Sequence, residues 1–367
     1  MQRLASRLLA WYDRYGRHDL PWQQTPRSAY RVWLAEIMLQ QTSVSTVIPY
    51  YHRFLERFPA LSALANADRD EVLALWTGLG YYARARNLHA AAQHIRDAHG
   101  GRFPTEFDEV VALPGIGRST AGAILAQAYD QCHAILDGNV KRVLTRLHAI
   151  PEWPGKAATQ RRLWRLAEEM TPAERVADYT QAIMDLGATC CHRRQPDCAA
   201  CPLRDDCLAR SRGVTDRIPA PRPQPTRARR SRSVGLVLVH DGNGHLLLEQ
   251  RPPNGVWGGL WSFPEVDNPE AGDAELQDAI ADRTGVAVRF HARLAPFTHV
   301  LSHFDMVITP LLAIREKPVP ECMDGPGWFW YKTGSEMNFG VAAPVRDLLD
   351  RLAAHHEEAK WRTWFTA

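Results

Sequence analysis

The fold of the N-terminal half is decided by one stretch, Leu113-Pro114-Gly115-Ile116-Gly117-Arg118-Ser119-Thr120-Ala121-Gly122. It predicts a helix that ends near Leu113, a Pro-Gly-x-Gly turn, and a new helix after Gly117. The glycines let the backbone approach a ligand closely, and the unpaired N–H groups at a helix start attract phosphate. We therefore predict a helix-hairpin-helix, which holds the DNA backbone without reading its sequence. A plain turn between two helices is the alternative.

Helical periodicity continues on both sides of this hairpin. Tyr30, Trp33, Leu34, Ile37 and Met38 recur at the spacing of one helix face. The same spacing predicts further helices over 44–58, 71–79, 84–94, 119–129, 140–148, 157–170 and 173–186. Since no strand-like alternation interrupts them, residues 1–212 are predicted to be all-α.

The composition changes at the end of this helical region. Residues 212–232 contain seven arginines and four prolines, which predicts an extended, semi-rigid linker over 213–232. This linker is either a spacer only or a spacer that also lies along a polyanion. Beyond it the pattern has period two and predicts an α+β domain over 233–367. We expect strands over 233–239, 245–249, 287–290, 304–314 and 328–331, and helices over 274–282 and 343–353.

The overall composition is that of a globular protein. The chain has 367 residues, of which 45% are hydrophobic and 23% charged, and its net charge is +3. These values exclude a disordered or fibrous chain, and the small net charge does not by itself indicate a nucleic-acid partner. No apolar run reaches the ~20 residues that span a bilayer, and no signal-peptide core is present. We therefore expect a cytoplasmic monomer with no membrane partner.

The cysteines are clustered. Five of the seven fall within eighteen residues, and an odd number in a chain without an export signal argues against a disulfide framework. Four of them follow the pattern Cys191-x6-Cys198-x2-Cys201-x5-Cys207. Four thiolates at this spacing suit either zinc or an iron–sulfur cluster, and the spacing does not choose between the two.

Two carboxyl groups have the surroundings of a catalytic pair. Glu36 has mainly apolar neighbours, and burial among them would raise its pKa, so that it can act as a general acid. Asp137 stands at the expected start of a helix, where an anion is favoured. A protonated and an ionised carboxyl together are the arrangement that cleaves glycosidic bonds. Each residue also has a simpler interpretation, Asp137 as a helix N-cap and Glu36 as a solvated helix position.

Residues 20–210 resemble the endonuclease III superfamily of base-excision DNA glycosylases. The resemblance rests on the hairpin, the cysteine pattern and the stretches 38–42, 78–87 and 137–140, which look like MutY-like adenine DNA glycosylases. It implies a six-helix domain over about 22–133 and a second helical domain formed by 1–21 and 134–212. It also implies a [4Fe–4S] cluster on Cys191, Cys198, Cys201 and Cys207, and a cleft that receives a flipped base.

Relatives in that superfamily with lyase activity carry a lysine two residues after the second hairpin glycine. Here that position is Ser119, and a hydroxyl cannot form a Schiff base with the sugar. The sequence therefore predicts a monofunctional glycosylase that leaves an abasic site.

The C-terminal domain resembles a Nudix fold. Gly259 and Glu265 match the opening of the Nudix motif, but the helix that holds metal in that family has lost most of its carboxylates. The resemblance implies a binding module rather than a hydrolase. In MutY-like proteins this module recognises 8-oxoguanine, and the matching loop, 297–304, places Ser302 and His303 at the lesion. Leu301 stands where that family has phenylalanine.

The resemblance also implies DNA contacts. Gly115, Gly117 and Ser119 would meet the backbone, and Gln41 and Tyr81 would wedge into the base stack beside the lesion. The adenine pocket would be bordered by Trp22, Arg27, Leu39 and Asp185.

The sequence thus predicts an adenine DNA glycosylase with double-stranded DNA containing A:8-oxoguanine or A:G mispairs as its partner, bound to the nucleoid of a bacterium. One alternative is another mismatch glycosylase of the superfamily, such as a thymine-mismatch enzyme. The others are an inert lesion-binding protein and a Nudix hydrolase of damaged nucleotides.

Overall fold

The computed structural model describes residues 2–223, 229–316 and 327–357. The chain divides into two compact units. Met1–Asn66 and Asn87–Gln224 form the first unit, and Ala67–Arg86 joins Pro225–Ala367 in the second. Cys322 and Arg227 lie outside the described residues.

The N-terminal part of the chain is helical, as predicted. In chain order the helices are α1 Gln2–Tyr15, α2 Ala29–Leu39, α3 Val44–Arg57, α4 Leu61–Ala65, α5 Arg69–Trp76, α6 Ala83–Ala98, α7 Phe107–Ala112, α8 Arg118–Tyr129, α9 Gly138–Leu147, α10 Ala157–Met170, α11 Val176–Asp185 and α12 Leu208–Ser211. A π-helical turn, Leu186–Cys190, continues α11. Helix α5 ends three residues before the predicted boundary at Leu79, ahead of Gly78, which has φ +95°. No helix among the described residues is long and apolar enough to cross a membrane.

Helix α2 carries one of the predicted catalytic residues through the core of the first unit. Ser28 caps its start by accepting the N–H of Arg31. The sequence predicted a single apolar face, but Val32, Trp33 and Leu34 are consecutive and all buried. The helix is therefore enclosed on most sides. A carboxyl group on this helix consequently has little access to water.

A second core lies in the same unit. Leu8 of α1, Leu144 of α9, Leu163 of α10 and Ile183 of α11 belong to one apolar cluster and are almost fully buried. This cluster supports α9 and the cysteine-rich segment that follows the π-helical turn.

The second unit contains the predicted α+β domain. Its elements are β1 Arg230–His240, β2 His245–Gln250, β3 Trp261–Ser262, β4 Glu265–Val266, α13 Asp273–Thr284, β5 Val288–Arg293, β6 Phe297–Val300, β7 Phe304–Arg315, β8 Trp328–Lys332 and α14 Ala343–Glu357. The central strands β1 and β7 are parallel. The main path of the sheet is β3-β2-β1-β7-β5, and β4, β6 and β8 pair with β1, β7 and β2.

Helix α5 is anchored within this second unit. The carboxylate of Asp70 accepts the indole N–H of Trp261 at 2.8 Å and the amide of Gln250 at 3.2 Å. The hydroxyl of Tyr82 donates to the carbonyl of Val341 at 2.7 Å. Removal of the C-terminal domain would remove these contacts of Asp70 and Tyr82. Point variants of the full chain therefore test the role of this domain better than a truncation does.

Candidate active site

Glu36 lies in α2 with one polar neighbour from α8. The amide Nε2 of Gln127 donates to Glu36 Oε1 at 2.9 Å. Burial raises the pKa of Glu36 to about 7, the hydrogen bond from Gln127 opposes this increase, and the charge of Asp137 adds to it. Glu36 is only half-buried as a residue, but its carboxyl is desolvated, which agrees with the raised pKa expected from the sequence. A carboxyl with a pKa near neutrality can donate a proton under physiological conditions.

Asp137 is the N-cap of α9, as predicted. Its Oδ1 accepts the backbone N–H of Val140 at 2.7 Å, and Asn139 Nδ2 lies 3.4 Å from Oδ2. The helix start favours the ionised form, as expected, but it is not the largest influence on the pKa of Asp137. Burial raises the pKa of Asp137, and the Val140 N–H and the charge of Arg142 only partly oppose this. The cause is desolvation of this carboxyl, although the residue itself is only half-buried.

The two carboxyl groups come together although 100 residues separate them in the sequence. The charge of Asp137 contributes to the raised pKa of Glu36, so the two groups lie within electrostatic range of each other. Because like charges repel, the pair favours a state in which one carboxyl is protonated and the other ionised. The assignment of the proton to Glu36 and of the charge to Asp137 stays a prediction.

Gln127, the hydrogen-bond partner of Glu36, lines a cavity of about 130 Å³. The cavity is lined by Tyr12, His18, Trp22, Gln23, Arg27, Val32, Gln127, Ala177, Asp178 and Gln181. Trp22 and Arg27 were predicted to border a pocket, whereas Leu39 and Asp185 are not part of its described lining. Asp185 is instead fully buried in an ion pair with Arg17 at 2.6 Å.

Three glutamines give the cavity its polarity. Gln127 lines it and also contacts Glu36. Gln181 Nε2 donates to Asp185 Oδ1 at 2.7 Å, so its amide is held in one orientation. The Oε1 atoms of Gln23 and Gln181 are buried without a hydrogen-bond partner among the described residues. Such acceptors are costly to leave unpaired, so each calls for a donor from water or from a ligand.

The sequence analysis missed these three glutamines. Gln127 follows the apolar run Ala123-Ile124-Leu125-Ala126 in α8. An amide at the end of such a run is a signal that could have marked it as a buried polar group with a partner.

The predicted helix-hairpin-helix is present as α7, a turn and α8. Gly115 has φ +78°, and a Cβ there would lie 2.8 Å from the Cβ of Asn87, so only glycine fits without strain. Gly117 precedes α8 and supplies no side-chain cap to its N–H groups. A Cβ on Gly117 would meet nothing within 4 Å. This open, uncapped helix start has the geometry that binds phosphate.

Ser119 makes a hydrogen bond within the protein. Its Oγ accepts the backbone N–H of Leu136 at 2.9 Å, and the side chain is half-buried. Leu136 directly precedes Asp137, so the hydroxyl connects the hairpin to the segment that presents the second carboxyl. A contact between Ser119 and DNA stays a prediction.

The cysteine pattern folds around a second cavity. Cys191, Cys198, Cys201 and Cys207 line it together with Arg146, Pro196, Asp197, Arg204, Arg210 and Thr215. Arg146 is buried, and its Nη1 donates to Cys191 Sγ at 3.2 Å. Cys190 instead belongs to the apolar core and donates its S–H to the carbonyl of Asp197 at 3.2 Å. The placement of Cys191 in the cavity supports its choice over Cys190.

The four thiols and the arginines of this cavity fit a negatively charged group with several atoms that thiolates can ligate. Among the described residues, no group of three or more His, Cys, Asp or Glu side chains stands ready to hold a single metal ion. The four cysteines surround a shared space instead. Guanidinium groups there would offset the negative charge of bound thiolates.

The predicted lesion loop is a β-hairpin in part. Strand β6, Phe297–Val300, pairs with β7, so only 301–303 form the turn. The loop prediction was wrong for 297–300, where pairing with β7 gives extended backbone. Ser302 and His303 are exposed at the tip. Arg229 stabilises this turn, because its guanidinium donates hydrogen bonds to the Leu301 carbonyl and to Asp305 Oδ1.

The linker arginines that the structure describes near β1 are bound to carboxylates. Arg229 pairs with Asp305 at 2.6 Å. Arg232 pairs with Glu265 at 2.8 Å and with Asp267 at 2.7 Å. These two arginines therefore hold the second unit together rather than presenting unpaired charge to a polyanion.

Glu265 of the Nudix-like motif and Glu249 of β2 are also paired with arginine. Glu265 accepts from Arg251 at 2.7 Å as well as from Arg232. Glu249 is buried and accepts two hydrogen bonds from Arg283 of α13, at 2.8 and 2.7 Å. Arginine thus neutralises charges that could otherwise attract a divalent cation.

Gln41 and Tyr81 both stand on turns with positive φ, at +62° and +50°. Tyr81 is 49% exposed and lies between Gly80 and the start of α6. A wedge role for both residues stays a prediction.

Comparisons with known proteins agree with this architecture. Residues 34–169 match the HhH-GPD superfamily of base excision DNA repair proteins, and residues 235–351 match the NUDIX domain. The chain is 35% identical over 344 residues to the adenine DNA glycosylase of Buchnera aphidicola subsp. Acyrthosiphon pisum, covering 94% of this chain and 95% of that protein. It is 34% identical over 377 residues to the Homo sapiens adenine DNA glycosylase, covering 88% and 69%. A solved thermostable thymine-DNA glycosylase superposes with a TM-score of 0.51 at 26% identity, covering 57% of this chain and 96% of that one.

Proposed function

The chain belongs to the adenine DNA glycosylases of the HhH-GPD base-excision repair superfamily, and from this membership we propose that it removes adenine mispaired with 8-oxoguanine or guanine in duplex DNA. The observation that carries the proposal is the buried carboxyl of Glu36, which is hydrogen-bonded to a glutamine of the cavity wall and lies near Asp137.

Glu36 donates its proton to N7 of the flipped adenine. The C1′–N9 bond then breaks, and its electron pair leaves with the base, which is a better leaving group once protonated. The ionised carboxyl of Asp137 stabilises the oxocarbenium-like sugar. Water forms the new bond to C1′, and its proton returns to the Glu36 carboxylate. The product is free adenine and an abasic site.

The cavity suits adenine because of its unpaired acceptors. Adenine presents an N6–H₂ donor, whereas guanine and thymine present carbonyl oxygens at the corresponding edge. The Oε1 atoms of Gln23 and Gln181 would accept from N6–H₂. A carbonyl there would leave these acceptors unpaired, which costs ~1–3 kcal/mol each.

The reaction ends at the abasic site. Ser119 stands where a lyase would need an amine, and a serine hydroxyl forms no Schiff base. Incubation with a duplex containing A:8-oxoguanine should therefore cut the adenine strand only after alkali. A matched T:G duplex should stay intact, since thymine offers no N6–H₂ donor. Cutting of the T:G duplex in preference to A:8-oxoguanine would favour a thymine-mismatch enzyme, and no cutting of either would favour a lesion-binding protein.

The DNA contacts are proposed on the geometry of each element. The uncapped start of α8 beyond Gly115 and Gly117 would bind a backbone phosphate. Gln41 and Tyr81, with Tyr81 largely exposed, would fill the stack that the flipped base leaves. Ser302 and His303 at the tip of the β6–β7 hairpin would contact the edge of 8-oxoguanine.

The four cysteines of the second cavity would hold a [4Fe–4S] cluster. Bound there, the cluster would cross-link the segment between the π-helical turn and α12. Four arginines beside the cysteine loop carry positive charge that can meet DNA phosphate. They are Arg193, Arg194, Arg204 and Arg210.

Purified protein should be yellow-brown and contain about four irons per chain, as a [4Fe–4S] cluster on four thiolates requires. Cys198→Ser should remove most of the iron, whereas Cys132→Ser, an exposed cysteine outside the loop, should keep it. Iron analysis and visible absorbance measure both. Stoichiometric zinc without visible absorbance would show that the site is a zinc loop.

Ser302→Ala should lower the preference for A:8-oxoguanine over A:G by about tenfold or less, because one hydrogen bond is worth ~0.5–1.5 kcal/mol. Its effect on the salt dependence of binding should be small, since no phosphate contact is removed. Single-turnover rates on both duplexes give the ratio. Ser231→Ala, at the exposed start of β1, is the matched control, and an equal loss in both variants would remove Ser302 from lesion recognition.

A further inference from the structure

Gln127 contacts both the cavity and the carboxyl of Glu36. Gln127 lies in the last turn of α8 and is 6% exposed. It lines the cavity, whereas Glu36 is not part of the described lining. Its Nε2 donates to one specific carboxyl atom, Glu36 Oε1, at 2.9 Å. The other group that acts on this carboxyl is Asp137.

The two oxygens of a protonated carboxyl are not equivalent. One is a carbonyl oxygen and a good acceptor, and the other carries the proton and donates it. An N–H donor held against Oε1 makes Oε1 the acceptor, so the proton resides on Oε2. We propose that Gln127 is a positioning residue for the acid, selecting Oε2 as the atom that delivers the proton to the base. This inference rests on the proposed function.

The same hydrogen bond limits the effect of burial. An N–H donor favours the ionised carboxylate and opposes the increase in pKa. Gln127 therefore keeps the acid close to the working pH, where a general acid is most effective. The residue orients the proton and also prevents the carboxyl from holding it too tightly.

Gln127→Met keeps the size of the side chain and removes the donor. Its single-turnover excision rate at the acidic plateau should fall about twofold, because the proton is then divided between two equivalent oxygens. The alkaline limb of the pH–rate profile should move upward by about one to two pH units, the size of a hydrogen bond to a charged group. A purely structural role would lower the rate without moving this limb.

Gln127→Glu is the isosteric second variant. It loses the donor and adds a like charge, so its alkaline limb should also move upward. Gln181→Met is the control, because Gln181 lines the same cavity but donates to Asp185. It should weaken binding of the substrate and leave the limb where it is.

The outcomes separate this inference from the proposed function. If wild-type protein releases no adenine, the proposed function fails. If wild-type protein is active and both Gln127 variants keep its alkaline limb, the positioning role is overturned. Circular dichroism shows whether Gln127→Met is folded. If it is not, the alkaline limb of Gln127→Glu tests the positioning role.

Discussion

Glu36→Gln should reduce single-turnover excision of adenine by at least ~100-fold, the usual size of the loss of a general acid. The substitution keeps the shape of the side chain and removes its exchangeable acidic proton. The carboxamide can still meet Gln127, whose amide carries both donors and an acceptor. Duplex binding should persist, because no contact to phosphate is lost.

Glu56→Gln makes the same chemical change on the exposed face of α3, and it should excise adenine at the wild-type rate. Excision is measured with enzyme in excess over an A:8-oxoguanine duplex, and binding is measured on the same duplex. Near-wild-type excision by Glu36→Gln would assign the proton to another group.

The excision rate of the wild-type protein should fall about tenfold per pH unit above about 7. Burial raises the pKa of Glu36 to about 7, and only the protonated form donates. Above this pKa the protonated fraction decreases tenfold for each pH unit, so the rate at pH 9 should be ~100-fold below the plateau. Single-turnover rates between pH 6 and 9 give the profile.

The variant Glu36→Gln is the control for this profile, since its residual rate should lack the alkaline limb. An alkaline limb that survives in Glu36→Gln would mean that a different group titrates.

The raised pKa of Glu36 also makes the free energy of unfolding depend on pH. The pKa of Glu36 lies above its ordinary value of 4.5 in the folded state, so the folded protein binds this proton more tightly than the unfolded chain. The contribution to the free energy of unfolding is complete below pH 4.5 and is lost as the pH rises through about 7.

The sequence predicted those parts of the site that depend on neighbouring residues. The hairpin follows from the conformational freedom of Gly115 and Gly117, and the N-cap follows from Asp137 at the start of a helical pattern. The desolvation of the Glu36 carboxyl follows from its apolar neighbours. Each of these depends on fewer than ten consecutive residues.

The rest of the site depends on contacts between distant segments. Gln127 and Glu36 are 91 residues apart, and the ion pair of Asp185 with Arg17 spans 168. The cavity collects side chains from the N-terminal segment, α8 and α11. No local pattern shows which amide meets which carboxyl, so these partners could not be predicted from spacing.

The errors in the second unit have a similar cause. Strand β6 has four residues and gains its pairing from β7, so its local pattern was too short to identify it. Arg229 and Arg232 look like part of a basic linker in the sequence, but tertiary pairing with Asp305 and Glu265 gives them a structural role.

Detection of free adenine by mass spectrometry tests the central claim most directly. Wild-type protein and Glu36→Gln are each incubated with a duplex that contains A:8-oxoguanine. The wild-type protein should release one adenine per duplex and leave an intact strand with an abasic site, and Glu36→Gln should release almost none in the same time. Equal release by both proteins, or no adenine from the wild-type protein, would contradict the assignment of Glu36 as the acid of an adenine glycosylase.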